Sequence, residues 1–153
     1  MPANDSVVME GVRLIFRNFT GRGGPFNQEG AKNFGVVLPE DIAEAMAADG
    51  WNVKVLDPRD EEETPTPWLP VKVRYDVGRP PKITLVTDRG KTTLTEETVE
   101  TLDWADIVNV DLIVRPYPWE KGGRSGITAY VQSMYVTIEE DALERKYAEM
   151  DQQ

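Results

Sequence analysis

Between Gly11 and Phe19 apolar and polar side chains alternate, with Val12, Leu14 and Phe16 on one face and Arg13, Ile15, Arg17 and Phe19 on the other. A period of two belongs to a half-buried strand, so the segment is predicted to be one, with a core face and a mixed basic and aromatic face. Thr20 to Gly30 carries glycines at 21, 23, 24 and 30 and a proline at 25, the composition of a loop. A second strand is predicted over Lys32 to Leu38, where Phe34, Val36 and Leu38 share a face. Pro39 to Gly50 has the marks of a helix: proline and acids in the first turn, an alanine-rich interior, Ile42, Ala45 and Met46 at helical spacing, and a terminating glycine. Trp51 to Leu56 alternates as a short strand, ended by Asp57-Pro58.

Further on, Trp68 to Tyr75 sets Val71, Val73 and Tyr75 against Lys72 and Arg74, and Lys82 to Thr87 follows a Pro80-Pro81 turn. Both are expected to be strands exposed on one face. Thr93-Leu-Thr-Glu96 resembles a capping box opening a short helix, with Val99 and Leu102 facing inward and Trp104 closing it. Ile107 to Tyr117 and Gly126 to Ile138 are predicted to form a long hairpin joined through Pro118 to Ser125. Glu139 to Met150 reads as a polar C-terminal helix. Strands not regularly separated by long helices point to a mainly β fold. The best fit is a Greek-key barrel like that of the oligonucleotide-binding (OB) fold, with two or three short helices inserted or appended.

At 153 residues the chain is expected to form a single OB-like domain. Residues 57–67 are expected to be an acidic, mobile loop and residues 139–153 an acidic helix or tail. The N-terminus has no basic region followed by an apolar stretch, so no secretory signal is expected, and the protein is placed in the cytoplasm. There is no cysteine and no histidine, which removes disulfides, thiolate and imidazole metal sites, and the side chain most used for acid–base work near neutral pH. No catalytic residue, cofactor or metal is therefore expected.

A net charge of -10 opposes binding to phosphates, but the signs are segregated. Gly11 to Phe34 carries Arg13, Arg17, Arg22 and Lys32 against Glu29, and Leu112 to Ile138 carries Arg115, Lys121 and Arg124 against Glu120. Acid gathers at Asp57, Asp60, Glu61, Glu62 and Glu63 and again from Glu139 to Asp151. Binding a single strand needs cations along the backbone and aromatic faces for the bases. The candidates for nucleic-acid binding are Arg13, Arg17, Phe19, Arg22, Phe26 and Lys32 from the first basic segment. From the second come Arg115, Tyr117, Trp119, Lys121, Arg124 and Tyr130. In an OB fold the loops joining strands one to two and four to five flank the cleft, and these two segments occupy those positions. Phe16, Phe34, Val110 and Leu112 are assigned to the core. The Gly21-Arg-Gly-Gly24 run lacks the Lys-Ser or Lys-Thr ending of a phosphate loop.

Two stretches carry a family resemblance. The first is Arg-Leu-Ile-Phe-Arg-Asn-Phe from Arg13, followed by Asn-Gln-Glu-Gly-Ala-Lys-Asn-Phe-Gly-Val-Val-Leu-Pro-Glu-Asp. The second is Asp-Leu-Ile-Val-Arg-Pro-Tyr-Pro-Trp-Glu from Asp111, joined to Ser-Gly-Ile-Thr-Ala-Tyr-Val-Gln-Ser-Met-Tyr-Val. Together, over residues 11–138, they resemble phage single-stranded DNA-binding proteins of the OB-fold replication type. The resemblance implies an OB fold, cooperative or dimeric coating of single-stranded DNA in replication, recombination or repair, and no catalysis. It also implies contact with phage or host replication proteins through an acidic C-terminus. The tail departs from that pattern, since it reads as helical and ends in Gln152-Gln153. The alternative reading is an acidic protein-interaction module, a nucleic-acid mimic that inhibits a host protein, supported by the net charge and the cluster from Asp57 to Glu63.

Overall fold

The computed structural model describes residues 6–25, 27–58, 61, 64–76 and 78–139. Its elements are β1 (Val7–Met9), β2 (Leu14–Asn18), β3 (Lys32–Val37), α1 (Glu40–Asp49), β4 (Lys54–Leu56), β5 (Thr66–Val73), β6 (Lys82–Thr87) and β7 (Gly90–Leu94). A 3-10 helix (Val99–Asp103) then leads into β8 (Ile107–Lys121) and β9 (Arg124–Ile138).

The strands follow the order β1-β8-β9-β5-β3-β2, with β4 on β5 and β6 between β7 and β9. Strand β9 runs parallel to β5 and β6, and the remaining pairs are antiparallel. The two ends of this order, β1 and β2, are halves of one bent segment. Gly11 supplies the bend with φ +62°, and the Val12 amide donates to the Val110 carbonyl at 3.0 Å, so the same segment lies against β8 first and β3 afterwards. That bend turns the sheet into an OB-like barrel.

Alternation fills the barrel. Phe34 and Val36 of β3, Leu69, Val71 and Val73 of β5, Val110, Leu112 and Val114 of β8, and Ala129 and Val131 of β9 all point inward and are buried. Each large apolar side chain so buried stabilises the fold by roughly 1.5–3 kcal/mol relative to exposure. The 3-10 helix adds Val99 and Leu102, and α1 adds Ala43 and Met46. Helix α1 ends as the sequence predicts, at Gly50 in the left-handed conformation.

Several expectations need correction. The β2 ladder slips between Ile15 and Asn18, where Phe16 adopts φ +52°. This bulge inserts one residue and exchanges the faces beyond it, so Phe16 is 56% exposed and Phe19 is buried, the reverse of simple alternation. Strand β6 is not open on one side: the successive residues Ile83 and Thr84, which point to opposite faces, are both buried. Ahead of the 3-10 helix the reciprocal box forms between Thr95 and Thr98 rather than between Thr93 and Glu96: the Thr95 amide donates to the Thr98 hydroxyl at 2.7 Å and the Thr98 amide to the Thr95 hydroxyl at 3.3 Å, and the N-cap Thr98 makes no side-chain bond into the helix. Trp104 closes the 3-10 helix as expected and is 68% exposed. The hairpin strands continue to a two-residue turn at Gly122-Gly123, so Pro116 and Pro118 lie within β8. Among the described residues β1 reaches β8 only as far as Val114, and the prolines lie beyond that pairing on an edge where the missing amide costs no ladder bond. Thr66 and Pro67, assigned to the acidic loop, open β5. The C-terminal helix expected after Glu139 lies outside the described residues. Among the described residues no helix is long and apolar enough to cross a membrane.

Just beyond β5, the Tyr75 hydroxyl is buried without a hydrogen-bond partner among the described residues. Burial, reinforced by Glu96 and Glu97, pushes its pKa up to about 12 from 10.0. The folded state therefore holds the Tyr75 proton more tightly than the unfolded chain does. The resulting stability is fully present below pH 10 and is lost as pH rises through about 12. Tyr75→Phe is expected to raise stability near neutral pH by about 1 kcal/mol, because it removes an unsatisfied polar group. It is also expected to flatten the alkaline limb, as urea titrations at neutral and alkaline pH would measure.

Candidate nucleic-acid interface

The outward-pointing residues of β2, β3, β5, β9 and β8 line one continuous outer surface. On β5 these are Trp68, Pro70, Lys72 and then Arg74, in phase with one another and out of phase with buried Leu69, Val71 and Val73. The register sets Trp68 beside Val37 and Lys54, Pro70 beside Gly35, and Lys72 between Asn33 and Tyr130. Tyr130 faces Arg115 across the β8–β9 ladder, and Tyr117 faces Thr128.

Two aromatic pairs stand on this surface. Phe16, turned outward by the bulge, meets Trp68 edge to face, with ring centroids 5.0 Å apart and planes at 64°. The Lys54 ammonium lies 6.0 Å from the centre of the Trp68 ring. The close seat of Trp68 depends on Gly35: a Cβ there would come within 2.7 Å of the indole and 2.9 Å of Ile15. The second pair is Tyr117 on Tyr130, 5.8 Å apart at 77°. Arg74 holds Asp76 through a two-pronged contact at 3.1 and 2.9 Å, beside the Tyr130 side chain. Arg74 in turn holds the Asp76 carboxyl below the usual carboxylate range. Lys72 and Arg115 lie between or beside the two pairs, so cations and rings are interleaved as a single-strand binder requires.

The β2–β3 loop is fastened to the rim of this surface. Asn33 donates to the Asn27 side chain at 2.7 Å, Asn27 donates to the Arg22 carbonyl at 2.7 Å, and the Arg22 amide donates to Asn18 at 2.9 Å. Arg22 is thereby presented at the rim with an exposed side chain. At the far end of the β8–β9 hairpin, Lys121 and Arg124 flank the glycine turn and are exposed.

The sequence-derived candidates thus separate. Tyr117, Tyr130 and Arg115 come together on the face; Arg22 stands at its rim, and Lys121 and Arg124 at the hairpin tip. Phe19 offers no ring to a base: it is buried and stacks on Phe34 at 5.2 Å. Arg17 is committed to the fold, donating to the carbonyls of Leu102 and Ala105 at 2.8 and 2.9 Å. Lys32 is partly buried and reaches the Thr20 carbonyl at 3.4 Å. Arg13 is exposed beside a crevice between β2 and the start of β8. Trp119 lies across Gly126 near the end of α1, in a shallow crevice bordered by Asp49 and Glu120 rather than by cations. Phe26 lies outside the described residues. Phe16, Trp68, Lys54, Lys72 and Arg74 are the additions. The phase shared by Trp68, Lys72 and Arg74 was legible in the sequence; the exposure of Phe16 was not, because nothing local announces the bulge.

Over residues 2–153 the sequence matches the family described as "Putative phage ssDNA-binding domain". The chain belongs to this family of phage single-stranded DNA-binding domains. Among solved structures it is similar to the single-stranded DNA-binding protein from bacteriophage Enc34 in complex with ssDNA. The TM-score is 0.56 at 12% identity, covering 89% of this chain and 88% of that one. The C-terminal truncation of the Enc34 protein gives 0.55 at 13% identity, covering 89% and 87%. A further structure of that protein gives 0.55 at 13%, covering 89% and 82%. At such identities the likeness is one of fold, and it places the barrel described above among phage proteins of the OB-like type. No curated protein matches the sequence.

For this member of the family, Gly35→Ala is expected to displace Trp68 and to cost about 1–3 kcal/mol in stability by overpacking. Urea unfolding, together with a shift in tryptophan emission, would measure both effects.

Proposed function

We propose that the protein coats single-stranded DNA in a sequence-tolerant way during phage DNA replication, recombination or repair, acting by binding and not by catalysis. The observation that carries this reading is the placement of Phe16 with Trp68 and Tyr117 with Tyr130 on one outer face, with Lys54, Lys72 and Arg115 among them. Bases stack on the rings and phosphates follow the cations. Neither group reads base edges, so sequence tolerance follows. The Arg74–Asp76 pair holds a cation beside Tyr130 without fixing its partner, since the pair is solvent-exposed. Membership of a single-stranded DNA-binding family favours this reading over an acidic mimic of nucleic acid. The setting we infer is the cytoplasm of the infected cell, with copies assembling along DNA and replication proteins as partners.

Titration with oligo-dT is expected to quench tryptophan emission. The logarithm of the affinity is expected to fall with the logarithm of salt concentration, by about 0.7 for each phosphate neutralised. Trp68→Ala is expected to weaken binding roughly 5- to 150-fold, the equivalent of one lost stacking contact. No quenching at low salt, or a Trp68→Ala variant that binds as the parent does, would contradict the assignment.

A further inference from the structure

The 3-10 helix and the root of the β2–β3 loop hold each other by two opposed sets of hydrogen bonds. The Asp103 carboxylate accepts from the Phe19 amide at 2.7 Å, the Thr20 amide at 3.0 Å and the Thr20 hydroxyl at 2.5 Å. In the other direction Arg17 donates through one guanidinium nitrogen to the carbonyls of Leu102 and Ala105. The reason for the first set lies in the ladder. Pairing between β2 and β3 ends at Asn18 and Asn33, so the next two amides leave the sheet without a strand partner, and a carboxylate supplies charge-assisted acceptors in its place.

From that anchor the bonds run on without a gap. The amides of Gly21 and Arg22 donate to Asn18, the Gly30 amide donates to the Gly21 carbonyl at 2.7 Å, and Asn27 links the Arg22 carbonyl to Asn33 on the outer face. Gly21 sits at φ +80°, and a Cβ there would come within 3.0 Å of the Gly30 backbone, so the loop is closed as tightly as a chain permits. The path leads from Asp103, on the far side of β2, to the exposed Arg22 guanidinium at the rim.

We propose that Asp103 and Arg17 are positioning residues for DNA binding. They fix the root of the β2–β3 loop so that Arg22 meets the phosphate backbone at the edge of the aromatic face, and they touch no nucleotide themselves. This assignment rests on the reading that the face binds single-stranded DNA. It also gives Arg17, which the sequence offers as a phosphate ligand, a different task.

A double-mutant cycle with Asp103→Asn and Arg22→Ala, measured by oligo-dT affinity well below the unfolding temperature, tests it. Each single variant is expected to bind several-fold more weakly, and the double variant no more weakly than the weaker single. Amide exchange at Phe19, Thr20 and Arg22 is expected to quicken in Asp103→Asn without DNA. In the Arg22→Ala background, Arg17→Met is expected to leave the salt slope unchanged. A phosphate contact by Arg17 would instead reduce that slope by about 0.7. Should Asp103→Asn fail to fold, Thr20→Val, which drops one donor of the clamp, enters the same cycle. Additive losses, a silent Asp103→Asn, or a reduced slope in Arg17→Met each overturn the proposal. If Arg22→Ala is silent while Trp68→Ala weakens binding, the clamp falls and the face stands; if both are silent, the reading of the face itself falls.

Discussion

One bent strand carries the architecture. The segment from Val7 to Asn18 pairs first with β8 and then with β3, turning at Gly11 and slipping again at Phe16. Gly11 closes the barrel; the bulge at Phe16 decides what the barrel shows to solvent. Had β2 kept a strict period of two, Phe16 would enter the core and Phe19 would face outward. Instead Phe19 packs on Phe34 and Phe16 stands beside Trp68. A bulky residue at positive φ is costly, of the order of 1–3 kcal/mol, and persists only where its surroundings fix it. Here the surroundings are the residues that follow it: Arg17, held by the Leu102 carbonyl, and the buried Phe19, whose amide is held by Asp103. The strain is retained where it places a ring on the proposed binding face, in keeping with the use of bulges to redirect a side chain.

The same geometry explains how a chain of net charge -10 can belong to a DNA-binding family. Screening confines the influence of exposed charges to roughly 10 Å at 0.1 M salt, so the local balance of the face outweighs the total. Lys54, Lys72, Arg74 and Arg115 are collected by strand register onto one surface, while Glu40, Asp41 and Glu44 are carried by α1 and Glu96, Glu97 and Glu100 lie at the 3-10 helix. An acidic excess of this size disfavours nonspecific contact with phosphate, and strand register sets where the cations gather.

Much of this was readable from the residues. Phe34, Val36, Val71, Val110 and Leu112 were assigned inward by alternation, and α1 by its proline, acids and terminal glycine. Local pattern governs such elements, and the structure agrees with them. What escaped depends on contacts distant in sequence. Phe19 is interior because of the slip at Phe16, Arg17 is spent on carbonyls 85 and 88 residues away, and β6 pairs with β7 and β9 in an order that sequence alone does not give. The candidate site was legible in its two flanking segments and partly illegible at its centre. Trp68 and Lys72 share a phase that alternation shows, yet only the β3–β5–β9 register brings them beside Asn33 and Tyr130.

On the proposed reading a DNA strand lies along the outer face spanning β2, β3, β5, β9 and β8. Amide chemical-shift mapping of the protein with a short oligo-dT tests this most directly. The largest shifts are expected at Phe16, Asn33, Trp68, Lys72, Tyr117 and Tyr130, with little change at α1 or β7. Shifts concentrated on α1 or on the β6–β7 hairpin, with these residues unmoved, would contradict it.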